Sequence, residues 1–94
     1  MTRPQAVPTQ QAASERVIVT EWRFAPGAET GWHVHGHDYV VVPQTDGELL
    51  LESKEGNRTS QLRAGQSYIG LRGVEHNVVN ASASEVVFIE VEIR

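Results

Sequence analysis

No cysteine occurs among the 94 residues, so no disulfide can brace this fold. A chain of that length makes one domain and buries only about two-thirds of the surface its unfolded form exposes. Small cores of this kind gain support from a metal ion or a partner subunit once disulfides are excluded. Long hydrophobic runs are also missing: no apolar stretch approaches the ~20 residues that cross a bilayer, which excludes a membrane partner. The opening MTRPQAVPTQQAASE lacks the apolar segment of a secretory signal, and a cytoplasmic location is the expectation. Basic residues are few, eight Lys plus Arg against twelve Asp plus Glu, for a formal net charge of -4. Phosphate backbones need a basic face, so nucleic acid is excluded as a partner. No ten-residue stretch has helical period, no glycine-rich loop leads into a helix, and no serine sits in a nucleophile elbow. Nucleotide-binding and serine-hydrolase readings therefore fall away.

Residues 1–14 carry prolines, glutamines and small residues with no hydrophobic period, which is the composition of a flexible arm. Residues 15–94 form the folded domain, a succession of short β-rich runs separated by turn residues. RVIVTEWRF (16–24) is followed by Ala-Pro-Gly, and YVVV (39–42) by the hairpin signal Asp46-Gly47. Further runs cover 48–53, 58–62, 67–71, 76–80 and 85–93. About eight short strands and no helix predict an all-β sandwich or barrel. Gly70 falls inside a run, where a glycine marks a bulge or a close approach. In the last run Val87, Ile89, Val91 and Ile93 share one face. Glu90 and Glu92 share the other, which reads as the solvent face of an alternating strand.

Chemistry concentrates in the histidines. His33 and His35 lie two apart in GWHVHGHDY, so on a strand they project from one face about 7 Å apart and can grip one ion. His37 continues the parity, although Gly36 and Asp38 suggest that the strand ends there. His76 opens a later run that a closed sheet can bring beside the first pair. A single histidine is more often a hydrogen-bonded or surface residue than a ligand; the spaced set carries the metal reading.

The spacing Gly27-x5-His33-x-His35-x4-Val40-x6-Gly47 resembles the first motif of the cupin superfamily, with Val40 where the family has glutamate. Gly65-x5-Leu71-x-Gly73-x2-His76-x3-Asn80 is similar to the second motif, with Leu71 replacing the family's proline. The resemblance spans residues 16–93 and implies an all-β double-stranded β-helix, a jelly-roll barrel with a metal inside. Of the family's ligands it carries over His33, His35 and His76. Without the glutamate three arrangements stay open: a three-histidine site, a site in which His37 or Asp38 is the fourth ligand, and a site that has lost its metal.

Imidazole ligands suit a divalent transition metal, namely iron, zinc, nickel or copper, with iron favoured for an oxygenase. Open positions leave room for water, dioxygen or a chelating substrate. The expectation is a metal-dependent enzyme, with dioxygenase-like, isomerase or lyase chemistry on a small anionic molecule. The alternative is a non-catalytic ligand-binding or sensing module. By parity with the lost glutamate, Val40 and Val42 would face the pocket, and Val78 would share His76's side. Trp22, Phe24, Trp32, Tyr39, Tyr68 and Phe88 are candidate walls, with core packing or a dimer contact as the commoner role. Arg23 and Arg72 are candidate carboxylate anchors, with a plain surface role as the commoner reading. The partner expected besides a small molecule is a second copy, forming a homodimer.

Overall fold

The computed structural model describes residues 2–94 and contains nine strands: β1 (Val7–Ala13), β2 (Val17–Phe24), β3 (His33–Val34), β4 (Asp38–Pro43), β5 (Gly47–Ser53), β6 (Gly56–Leu62), β7 (Tyr68–Gly70), β8 (Glu75–Asn80) and β9 (Val86–Ile93). They form two facing sheets, one ordered β1-β2-β9-β4-β7 and the other β3-β8-β5-β6. Every strand pairing within them is antiparallel. This is the expected jelly-roll, double-stranded β-helix barrel. No helix among the described residues is long and apolar enough to cross a membrane.

Side chains alternate across each strand, so register decides what reaches the interior. Trp22 and Phe24 on β2, Phe88 on β9 and Val41 on β4 point inward, opposite Leu49 and Val78 of the second sheet. Phe24 is fully buried and packs against Phe88 with ring centroids 5.4 Å apart. On the other face of the five-stranded sheet lie Val19, Val40, Val42, Ile89, Val91 and Ile93.

Three local expectations are corrected here. Residues 7–13, expected within a flexible arm, pair with β2 from Val7↔Arg23 to Ala13↔Ile18. All seven are exposed, so an edge strand with neither face buried leaves no apolar period to read. Asp46-Gly47 is not a hairpin, because β4 and β5 belong to different sheets. A Cβ at Gly47 would stand 2.6 Å from Val86 Cγ2, so close packing requires the glycine. Glu90 does not face solvent: it is buried on the inner face with Phe88.

Asn80 ties loop to barrel. It is 1% exposed; its Nδ2 donates to the carbonyls of Phe24, Ala25 and Ser84, and its Oδ1 accepts from Ser82 N at 2.8 Å. Removing it leaves several buried polar groups without partners, each costly. Asn80→Ala is expected to lose about 2–4 kcal/mol of stability, measured by urea unfolding; a loss below roughly 0.5 kcal/mol contradicts this role.

Candidate metal centre

β3 is two residues long, but it places His33 directly opposite His76 of β8. His35 lies just past the strand and is still held in the sheet, its N–H donating to Val74 O at 2.9 Å and its carbonyl accepting from Gly73 N at 2.8 Å. Three imidazoles therefore converge from two antiparallel segments. His33 Nε2 and His76 Nε2 each lie 3.1 Å from His35 Nε2, and the rings stand edge to face with centroids 4.7–5.1 Å apart. Among the described residues this is the one cluster of three or more His, Cys, Asp or Glu with metal-holding spacing.

The donor set fits an ion. His33 Nδ1 sits 2.9 Å from the Gly31 carbonyl; a carbonyl only accepts, so Nδ1 carries the proton and Nε2 keeps its lone pair. Lone pairs on neighbouring Nε2 atoms repel unless a proton or cation lies between them. A separation of 3.1 Å is what ligands at about 2.1 Å from one ion show when their bonds are nearly perpendicular. Burial, reinforced by the neighbouring imidazoles, lowers His35 to about 4. Burial, then His33 and Arg58, do the same for His76. Both rings thus stay neutral, the form that binds metal, far below the usual imidazole range.

His37 and Asp38 are not brought to this cluster. His37 is absent from the triad and the cavity, and the Asp38 carboxylate accepts the Arg72 backbone N–H at 2.8 Å. Val40 and Val42 do not face inward as parity with a lost glutamate implied. Cross-strand pairing sets Val40 beside Val91 on the outer face, while Tyr39 and Val41 point into the barrel. The position facing the histidines is thus Tyr39, one residue earlier, and the one-residue offset reverses every side chain. Its ring stacks on His35 at 3.8 Å, and burial, then Tyr68 and Glu90, push its hydroxyl up to about 12. It stays a neutral phenol.

Gly70 makes this stack possible. It pairs with Tyr39 across β4 and β7, and the Tyr39 ring occupies the space where a side chain would stand. The close approach anticipated at Gly70 is thus by an aromatic ring.

The triad opens into a cavity of about 490 Å3. Trp22, Tyr39, Tyr68 and Phe88 line it, whereas Phe24 is core and Trp32 is half exposed outside it. Val34, Ile69 and Leu71, all well exposed, form an apolar rim. Arg23 pairs with Glu21 and Glu85 on the surface, and neither it nor Arg72 reaches the cavity. Arg58 does, because its partner across the β5–β6 pair is inward-facing Leu51. A lone arginine in a polar run carries no sequence signal for that role.

On the opposite sheet Glu90 and Glu92 line the cavity. Burial, then repulsion from Glu92, raises Glu90 to about 7. The folded carboxyl holds its proton up to that pH, whereas the unfolded one loses it near its ordinary value. The destabilisation is therefore absent below the ordinary carboxylate range, grows as the pH rises toward 7 and is complete above it. Glu90→Gln is expected to stabilise the protein at pH 8 by on the order of 1–2 kcal/mol after solvent screening, or roughly 5–10 °C in Tm, and to change little at pH 4. Equal melting shifts at both pH values contradict the assignment.

Comparison with known proteins agrees with this geometry. A family model described as a cupin domain, Cupin_2, matches residues 20–92. The chain is 71% identical over 92 residues to the β-alanine degradation protein BauB of Pseudomonas aeruginosa, covering 98% of this chain and 97% of the relative. It superposes on a crystal structure of a cupin domain from Bordetella pertussis Tohama I with a TM-score of 0.97 at 63% identity, covering 100% of this chain and 98% of that one. The polyketide cyclase RemF from Streptomyces resistomycificus shares the fold, with a TM-score of 0.76 at 20% identity over 99% of this chain and 70% of that one. With residues 20–92 matched by the family model and nearly the whole chain by a 71%-identical relative, this protein belongs to the Cupin_2 family of cupin domains.

Proposed function

We propose that this protein is a metal-dependent enzyme that binds one transition-metal ion through His33, His35 and His76 and acts on a small carboxylate-bearing molecule in the degradation of β-alanine. The observation that carries the reading is the convergence of three Nε2 atoms, successive ones 3.1 Å apart, at the wall of a cavity. The name of the 71%-identical relative supplies the metabolic direction.

A neutral ligand set suits iron, zinc, nickel or copper, and such an ion supplies Lewis-acid polarisation of a bound oxygen, or with iron the capacity for dioxygenase chemistry. The protein's own groups do the rest. Arg58 receives the substrate carboxylate at the cavity wall, where a guanidinium pairs with it through two parallel hydrogen bonds. The Gly31 carbonyl fixes the His33 tautomer, the Tyr39 ring holds His35 in place, and the apolar rim keeps water from the bound ligand. Transamination of a β-amino acid, which passes the amine to a 2-oxo acid as that acid's keto oxygen is transferred in return, leaves a 3-oxo carboxylate, whose two oxygens on alternate carbons chelate as a β-diketone does. Oxygen uptake by iron-loaded protein is therefore to be measured with 3-oxo carboxylates, simple β-diketones and catechols. Turnover of the 3-oxo acids supports the oxygenase reading. A ligand-induced rise in Tm without turnover under any metal points to the non-catalytic binding module.

The outer aliphatic face of β2, β9 and β4 is proposed to pack against a second copy, forming a homodimer. Sedimentation velocity is expected to show about 21 kDa, twice the chain's 10.4 kDa, and Val91→Lys to shift it to the monomer. A monomeric parent protein contradicts this.

A further inference from the structure

The cavity is electrically divided. Arg58 lies on β6 in the four-stranded sheet that also carries His33 and His76, while Glu90 and Glu92 lie on β9 in the sheet facing it. Among the described residues none of these three charged side chains has an ion-pair partner within 4.0 Å. The ion pairs that do form join Arg3, Arg23 and Lys54 to other carboxylates. Glu90 is 8% exposed, faces the cavity and lies beside Glu92 and Trp22.

Two neighbouring carboxyl groups, Glu90 buried and Glu92 half-buried, with no cation beside them are costly, and the cost falls when a positive group enters between them. The same wall presents Trp22, Tyr39, Tyr68 and Phe88, aromatic faces that favour a desolvated ammonium. Trp22 Nε1 is buried without a partner, a donor that an ionised Glu90 can satisfy. A simple carboxylate answers only the Arg58 side of this cavity, and an amine only the other.

We propose that the cavity is a two-ended site for a short zwitterionic amino-carboxylate, its carboxylate held at Arg58 beside the histidines and its ammonium between Glu90 and Glu92. This rests on the carboxylate reading given above and adds the second charge. β-Alanine is the probe.

Titration calorimetry of the purified protein at pH 7.5 with β-alanine, propionate and ethylamine tests it. The expected result is β-alanine binding at least about tenfold tighter than either half-molecule, roughly 1.4 kcal/mol. In the Glu90→Gln/Glu92→Gln variant β-alanine falls to the level of propionate while propionate itself is undiminished. Arg58→Gln weakens β-alanine and propionate alike. Thermal melting confirms that each variant is folded, and the single variants Glu90→Gln and Glu92→Gln replace the double one should it not fold. Propionate binding as tightly as β-alanine, or a preference that survives loss of both carboxylates, overturns the zwitterion site and leaves the carboxylate reading standing. No binding by any of the three overturns both.

Discussion

Replacing His76 with alanine is expected to weaken metal binding by on the order of a thousandfold, well beyond the roughly 10–100-fold effect of losing a group that merely supports a ligand. His76 lies opposite His33 across β3 and β8, and its Nε2 is one of the three that converge. The two remaining imidazoles leave an ion with a bidentate grip and an open face. His37→Ala, four positions from His33 in sequence yet outside the cluster, is expected to leave affinity within about twofold of the parent, a change below half a kcal/mol. Competition with a chromophoric chelator measures both. Equal losses in the two variants would show that the ion, where bound, is held by a different set.

Gly70→Ala is expected to be among the most damaging single-methyl additions in the chain. Gly70 does not have positive φ, so alanine meets no backbone penalty and the whole effect is steric. The added carbon would fall inside the Tyr39 ring's volume. Tyr39 is 6% exposed and stacked on His35, so it can yield only by leaving the imidazole it braces. Overpacking of this kind costs about 2–3 kcal/mol or more, a fall in Tm on the order of 10–20 °C for a domain of this size, and metal affinity should drop with it. Tyr39→Ala is expected to cancel most of the steric cost in the double variant, so that adding Gly70→Ala to it changes Tm by less than about 3 °C. Additive losses would show that the clash is relieved elsewhere.

That contact also marks where sequence reading reached its limit. Strands with one face buried announced themselves through alternation and turn residues, and β2, β4–β6, β8 and β9 lie within a residue or two of their expected bounds. His33 and His35 were legible because spacing by two on a strand fixes a shared face, and His76 through its place in the second motif. β1 was illegible because it buries nothing. Val40 misled because a spacing of four intervening residues was assumed where the backbone uses three, and strand parity turns that single step into the opposite face. Glu90 and Glu92 alternate just as solvent-facing residues do; only the second sheet opposite them converts that face into a cavity wall. Arg58 in a polar run became a cavity residue for the same reason, through the partner of β6 and not through its neighbours in the chain.

One ion at His33, His35 and His76 is the central expectation for this protein, and elemental analysis of protein purified without an affinity tag tests it most directly. The expected result is close to one equivalent of iron, zinc, nickel or copper per chain, retained through dialysis and absent from a His33→Ala/His76→Ala variant that still melts cooperatively. Less than about a tenth of an equivalent of any of these metals, both as purified and after incubation with each of them, would contradict it.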